Sequence, residues 1–228
     1  MNWVGQNLGL IVQLSIEHLR QSIPPIVLGL VLSIPLGWLA WRYRLLRESL
    51  LVITGILYTI PSLALLAILP VILGISPLSE LNLVVTLTLY AIALMTRTVA
   101  DGLDAVDPDV RLAAAAMGYG AARRFFTVEL RLAGPVVLAG LRVTAASTVA
   151  LATVGILIGV QNLGYLFTNG LQRDIFAEVF SGIVAVAVIA LIIDQLLVLC
   201  GRLAMPWLRV ADGAPGERRT RIALEMGA

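Results

Sequence analysis

Few residues in this chain of 228 could do chemistry. One histidine, His18, and one cysteine, Cys200, can neither close a zinc site nor form an internal disulfide. All 16 basic residues are arginines. The missing lysine excludes a Walker A phosphate lysine, a Schiff base and a Ser-x-x-Lys nucleophile, so any use of ATP must run through another chain's P-loop. Glu129 with Asp101 or Asp104 is the nearest thing to an acid–base pair. They stand on a polar connection with no nucleophile beside them, so they read as a solvated face. The sequence supplies no catalytic residue and no metal site.

Two features remain. Asp194 interrupts a long apolar run close to its end, and a carboxylate in that setting is costly unless paired or functional. Arg142, within another apolar run, is its natural partner; a proton relay is the alternative. Pro61 and Ser62 break a second apolar run near its middle, giving either a kink whose free carbonyls line a path or a packing kink. Tyr58 precedes that break. Tyr58, Tyr90, Trp38 and Trp41 invite comparison with an aromatic cage for a quaternary ammonium, but Trp41 stands where an interfacial belt residue belongs.

These residues sit in a membrane protein. Apolar residues make up 59% and charged residues 13% of the chain, with a mean hydropathy of +0.96, against roughly 25% charged in a soluble domain. A helix crossing a bilayer needs about 20 mostly apolar residues. Five segments qualify, near 23–41, 49–73, 83–99, 135–160 and 179–199, the fourth opening on Pro135 as a first-turn proline. Residues 1–20, with Val4, Leu8, Ile11, Val12, Ile16 and Leu19 near one face, predict a separate amphipathic helix on the interface, where His18 would be a polar residue. The expected organisation is that segment, a membrane domain over 21–205 and a disordered tail over 206–228. Small residues such as Gly29, Gly37, Gly155, Gly159, Ala145 and Ala152 would let the helices approach closely.

Arginine position gives orientation. Arg42, Arg44 and Arg47, then Arg97, Arg111, Arg123, Arg124 and Arg131, then Arg202, Arg209, Arg218, Arg219 and Arg221 fall on one side of a five-span chain. The positive-inside rule makes that side cytoplasmic and the N-terminus external. Nucleic acid is not implied, because the charge marks orientation rather than a basic domain.

The connection over 101–134 is too long for a simple turn. Asp107-Pro108 gives an N-cap with proline at the first helical position. A small-residue helix follows, with Ala113, Ala114, Ala115 and Ala116, then Met117, Gly118, Tyr119 and Gly120, and a second helix over 121–130. Four alanines leave a helix face nearly flat. It anchors little by itself, but another protein's groove can approach it closely; a loop lying on the membrane is the other reading.

The run LAAAAMGYGAARRFFTVELRLAGP resembles the "EAA" loop of ATP-binding cassette importer permeases. Ala113 and Ala114 match its two alanines, Gly118 its glycine, Val128 stands for its isoleucine and Leu130 matches its leucine. Leu112 replaces the glutamate and Arg131 the proline. Segments 58–74, 87–108 and 139–167 resemble the osmoprotectant branch, the glycine betaine, carnitine and choline permeases.

The resemblance implies an all-α membrane protein of the type I importer permease fold, with about five core spans and cytoplasmic coupling helices, in a prokaryotic inner or plasma membrane. It implies a second permease subunit, identical or similar, two cytoplasmic ATPase subunits holding ATP and Mg²⁺, and an extracytoplasmic substrate-binding protein. Ala113 to Gly120 would receive the ATPase; Tyr58, Pro61 and Ser62 would border the translocation path. The rivals are a secondary transporter or channel acting without an ATPase, and a membrane scaffold.

Overall fold

A computed structural model describes residues 2–207, and every regular element among them is helical. The helices are α1 (Asn2–Gln6), α2 (Leu8–Arg42), α3 (Arg44–Thr59), α4 (Ser62–Leu73), α5 (Glu80–Asp104), α6 (Pro108–Ala116), α7 (Ala121–Arg124), α8 (Leu130–Ala152), α9 (Gly164–Gln172) and α10 (Phe176–Ala204). A π-helical turn at Phe125–Glu129 joins α7 to α8, and a 3₁₀ turn at Thr153–Ile158 ends α8. The expected tail lies, from residue 208 onward, outside the described residues.

The centre is α5, whose crossing stretch is more buried than that of the other spans. Its neighbours come close because small residues let them. A Cβ at Gly29 would lie 2.4 Å from that of Ala91, one at Gly37 2.6 Å from that of Val99, and one at Gly140 2.2 Å from Thr98 Cγ2. Gly159 differs: it has open space and φ +80°, so it serves the backbone at the end of the 3₁₀ turn.

These contacts also fix direction. Arg20 meets Glu80, Gly29 meets Ala91 and Gly37 meets Val99, so α2 and α5 run parallel. The chain must return between them, and α3 with α4 carries it back. Arg47 meets Asp104 at one end of α5, and the Leu66 carbonyl accepts from Asn82 at the other. That return is no straight helix: the α3–α4 pair bends by 110°. Ile60 before Pro61 is extended, as the pyrrolidine ring demands. Gly140 against Thr98 and Gly102 against Val137 set α8 antiparallel to α5, and Arg142 with Asp194 brings α10 back along α8.

Three expectations change. The N-terminal segment is not a separate interfacial helix, because α2 continues unbroken from Leu8 to Arg42. Leu8, Val12, Ile16, Ile23, Val27 and Val31 form one exposed apolar stripe along it. His18 and Gln21 face the interior, His18 hydrogen-bonded at 3.0 Å to the Val149 carbonyl. Pro135 does not open the fourth span: it lies inside α8, which starts at Leu130. Gly134 before it has no Cβ to clash with the ring. Glu129 is no solvated carboxylate; it is 2% exposed and held at 2.8 Å by Arg124.

Candidate functional site

The 101–134 connection folds into a compact projection at the arginine-rich end of the bundle. Asp107 caps α6 as expected, its carboxylate accepting from Asp109 N at 2.8 Å, with Pro108 in the first turn. At the other end the Gly118 N–H reaches the Ala115 carbonyl (3.0 Å) and the Tyr119 N–H the Ala114 carbonyl (3.1 Å). That pair of bonds is a Schellman cap. It needs a left-handed residue, and Gly118 supplies φ +82°. The side chain of Arg123 lies over the Tyr119 ring, 4.6 Å from its centroid.

The projection is tied to the membrane helices. The Arg111 guanidinium donates to the Leu103 carbonyl and stacks on Trp41, 4.8 Å from the ring centroid. Arg47 joins α3 to the end of α5 through Asp104 (2.5 Å) and Asp101 (3.5 Å), and Arg97 approaches Asp101 at 3.8 Å. A push on α6 would therefore reach α2, α3 and α5 together.

The eight expected coupling residues are not equivalent. Ala113, Ala115, Ala116, Met117, Gly118 and Gly120 are exposed and Tyr119 is half-buried. Ala114 is buried at 2%, where α6 packs on α7 and the π-turn, so it is not a surface for a partner. Leu112, where the resembled loop has glutamate, is 67% exposed and Met117 70% exposed. The outer face of α6 is thus two apolar side chains around a flat alanine patch.

The second expected cluster sits at the α3–α4 break. Tyr58 and Pro61 are exposed and Ser62 is half-buried. Tyr90 is buried beneath them, meets Tyr58 edge-on at 6.0 Å, and donates its hydroxyl to the Ile60 carbonyl freed by the break. Trp38 and Trp41 belong elsewhere, with Phe125 and Arg111, so the four aromatics form two clusters rather than a cage.

Arg142 and Asp194 are brought together in a bidentate pair at 2.6 and 2.8 Å. Because α10 runs on to Ala204, Asp194 lies about 15 Å from the end of its helix, deeper than the sequence suggested. The pair neutralises both charges at that depth and leaves no isolated carboxylate.

Sequence reasoning missed a polar knot at the opposite end of the bundle. Asn162 donates to Gln21 Oε1 (2.9 Å) and the Ala152 carbonyl (2.8 Å) and accepts from Gly164 N (2.8 Å), while Gln21 donates to the Gln161 carbonyl (2.9 Å). This joins α2, the end of α8 and the start of α9. The only sequence signal was polar Gln161-Asn162 set between apolar runs. Glu178, fully buried and bonded to Asn169 at 2.7 Å, was also missed. Among the described residues no cluster of histidine, cysteine or carboxylates has the makings of a metal site.

Comparison with known proteins places this geometry. The profile of the binding-protein-dependent transport system inner membrane component family matches residues 26–208. The glycine betaine/carnitine/choline transport system permease protein OpuCD of Bacillus subtilis is 29% identical over 210 residues, 92% of this chain and 87% of that protein. The osmoprotectant import permease protein OsmY of Salmonella typhimurium is 32% identical over 192 residues, covering 83% and 80%. Among solved structures, an inward-facing form of the MetNI methionine ABC transporter superposes with a TM-score of 0.78 at 21% identity, covering 87% of this chain and 98% of that one.

Proposed function

Since this chain belongs to the family of binding-protein-dependent transport system inner membrane components, a membrane permease of an ATP-binding cassette importer, we propose that its cargo is a small quaternary-ammonium osmoprotectant such as glycine betaine or choline. The similarity to a glycine betaine/carnitine/choline permease of Bacillus subtilis and an osmoprotectant import permease of Salmonella typhimurium supports that cargo. The observation that carries the coupling assignment is the outer face of α6. It is apolar, flat and Schellman-capped, and Arg111 braces it against the membrane helices.

In this reading two ATPase subunits, which bind the ATP and Mg²⁺, seat on Leu112, Ala113, Ala115, Ala116 and Met117. Gly118 to Gly120 close the helix, and nucleotide-driven motion of the ATPases moves α6 as a rigid lever. This chain has no ATPase site of its own. A second permease subunit completes the path, bordered by Tyr58, Pro61 and Ser62, and an external binding protein delivers the cargo. The N-terminus faces outward and α6 faces the cytoplasm.

The test is uptake of labelled glycine betaine and choline by cells carrying the complete transporter. Ala115→Trp should abolish uptake and ATPase co-purification while the permease still accumulates in the membrane. Retained uptake and retained ATPase binding would refute the assignment. If the transporter instead carried a different cargo and Ala115→Trp abolished that uptake, the coupling reading would stand and only the substrate would change.

A further inference from the structure

A groove between α2 and the π-turn lies beside the brace just described, with Trp41 common to both. It encloses about 790 Å³ and is walled by Val31, Ile34, Trp38, Phe125 and Phe126, with Arg42 at its mouth. Volumes of about 300–1,000 Å³ are those of sites that hold small molecules. The π-turn, with its extra residue per turn, is the wall that carries Phe125, whose ring meets Trp38 edge-on at 6.1 Å.

We propose that this groove binds one anionic membrane phospholipid, an acyl chain against Trp38 and Phe125 and the phosphate at Arg42. Three observations select that occupant. First, the groove continues the lipid-facing stripe of α2, because Val31 belongs to both. Second, its length fits: Val31 to Arg42 is about 16 Å along a helix, and one leaflet of hydrocarbon is about 15 Å thick. Third, the charge at the mouth lies over the Tyr43 ring, 5.9 Å from its centroid, and has no carboxylate partner among the described residues. Glu129 is the only carboxylate in the lining and Arg124 neutralises it at 2.8 Å, whereas no carboxylate among the described residues pairs with Arg42. Trp41 and Tyr43, beside Arg42, mark the depth at which headgroups lie. Basic pockets between membrane helices at that depth suit anionic headgroups.

Tryptophan fluorescence reads occupancy. The transporter complex, with Trp3 and Trp207 replaced by phenylalanine in this chain, is placed in micelles with increasing mole fractions of dibrominated phosphatidylglycerol or dibrominated phosphatidylcholine. A permease kept free of its partners serves as a parallel sample. Variants that keep only Trp38 and Trp41, compared with one lacking both, isolate their signal. Quenching by phosphatidylglycerol should saturate at a roughly fivefold lower mole fraction than by phosphatidylcholine, the preference expected from one arginine. Arg42→Gln should remove that preference, and Ala122→Leu, which narrows the groove, should weaken quenching by both lipids. Equal half-saturation by the two lipids in the unmodified groove would overturn the proposal. So would protection of the two tryptophans in the complex but not in the free permease, which would make the groove a protein contact.

Discussion

Gly118 shows how one residue shapes the end of α6, the helix proposed to receive the ATPase. With φ +82° and no atom within 4 Å of an added Cβ, its constraint is conformational rather than steric. An L-residue there costs about 1–2 kcal/mol. Gly118→Ala should therefore speed hydrogen exchange at the Tyr119 amide, bonded to Ala114, by roughly tenfold, with the membrane helices unaffected; mass spectrometry of exchanged peptides checks this. Arg142 and Asp194 make a different kind of prediction. Arg142→Gln strands a carboxylate and Asp194→Asn strands a guanidinium, so each alone should lower the thermal midpoint of the purified protein. The double variant should recover much of the loss, because the charges then leave together. It also separates the rival mechanism: a proton relay through Asp194 would leave the double variant stable but inactive in uptake.

At the scale of elements, the break between α3 and α4 is a held bend rather than a loose one. The Tyr90 hydroxyl satisfies the Ile60 carbonyl that the break releases, and the ring props Tyr58. Tyr90→Phe leaves that carbonyl without its partner beside a buried ring, a loss of about 1–3 kcal/mol. Its thermal midpoint should fall, while Tyr58→Phe, whose hydroxyl has no hydrogen-bond partner among the described residues, should leave the midpoint unchanged. The sequence made the break legible through Pro61, but not its 110° angle or its support, since Tyr90 is distant in the chain. The same limit applied to α6. Composition marked the alanine run and its caps, yet only the packing of α6 on α7 and the π-turn made Ala114 an inward residue and Ala115 an outward one.

For the molecule as a whole, direction is set by packing. Parallel α2 and α5, antiparallel α8 and a returning α10 require an odd number of crossings once α3 and α4 are counted as one. Reporter fusions within 76–79 should therefore be active outside the cell, and fusions within 117–119 or after 205 inside. Activity of the 76–79 and 117–119 fusions on one side would contradict the topology. The sequence alone determined the membrane class, the five apolar stretches, the one-sided distribution of arginine and the capped helix between the third and fourth stretches. Each of these is a local property, carried by composition, period or a cap within a few residues. Only the tertiary structure decided that residues 8–22 belong to the first long helix, that His18 and Glu129 are interior, and that Gln21 and Asn162 meet. Those outcomes depend on which neighbour supplies the hydrogen bond or covers the side chain. In a chain this apolar, the local pattern does not distinguish a face that meets lipid from one that meets another helix.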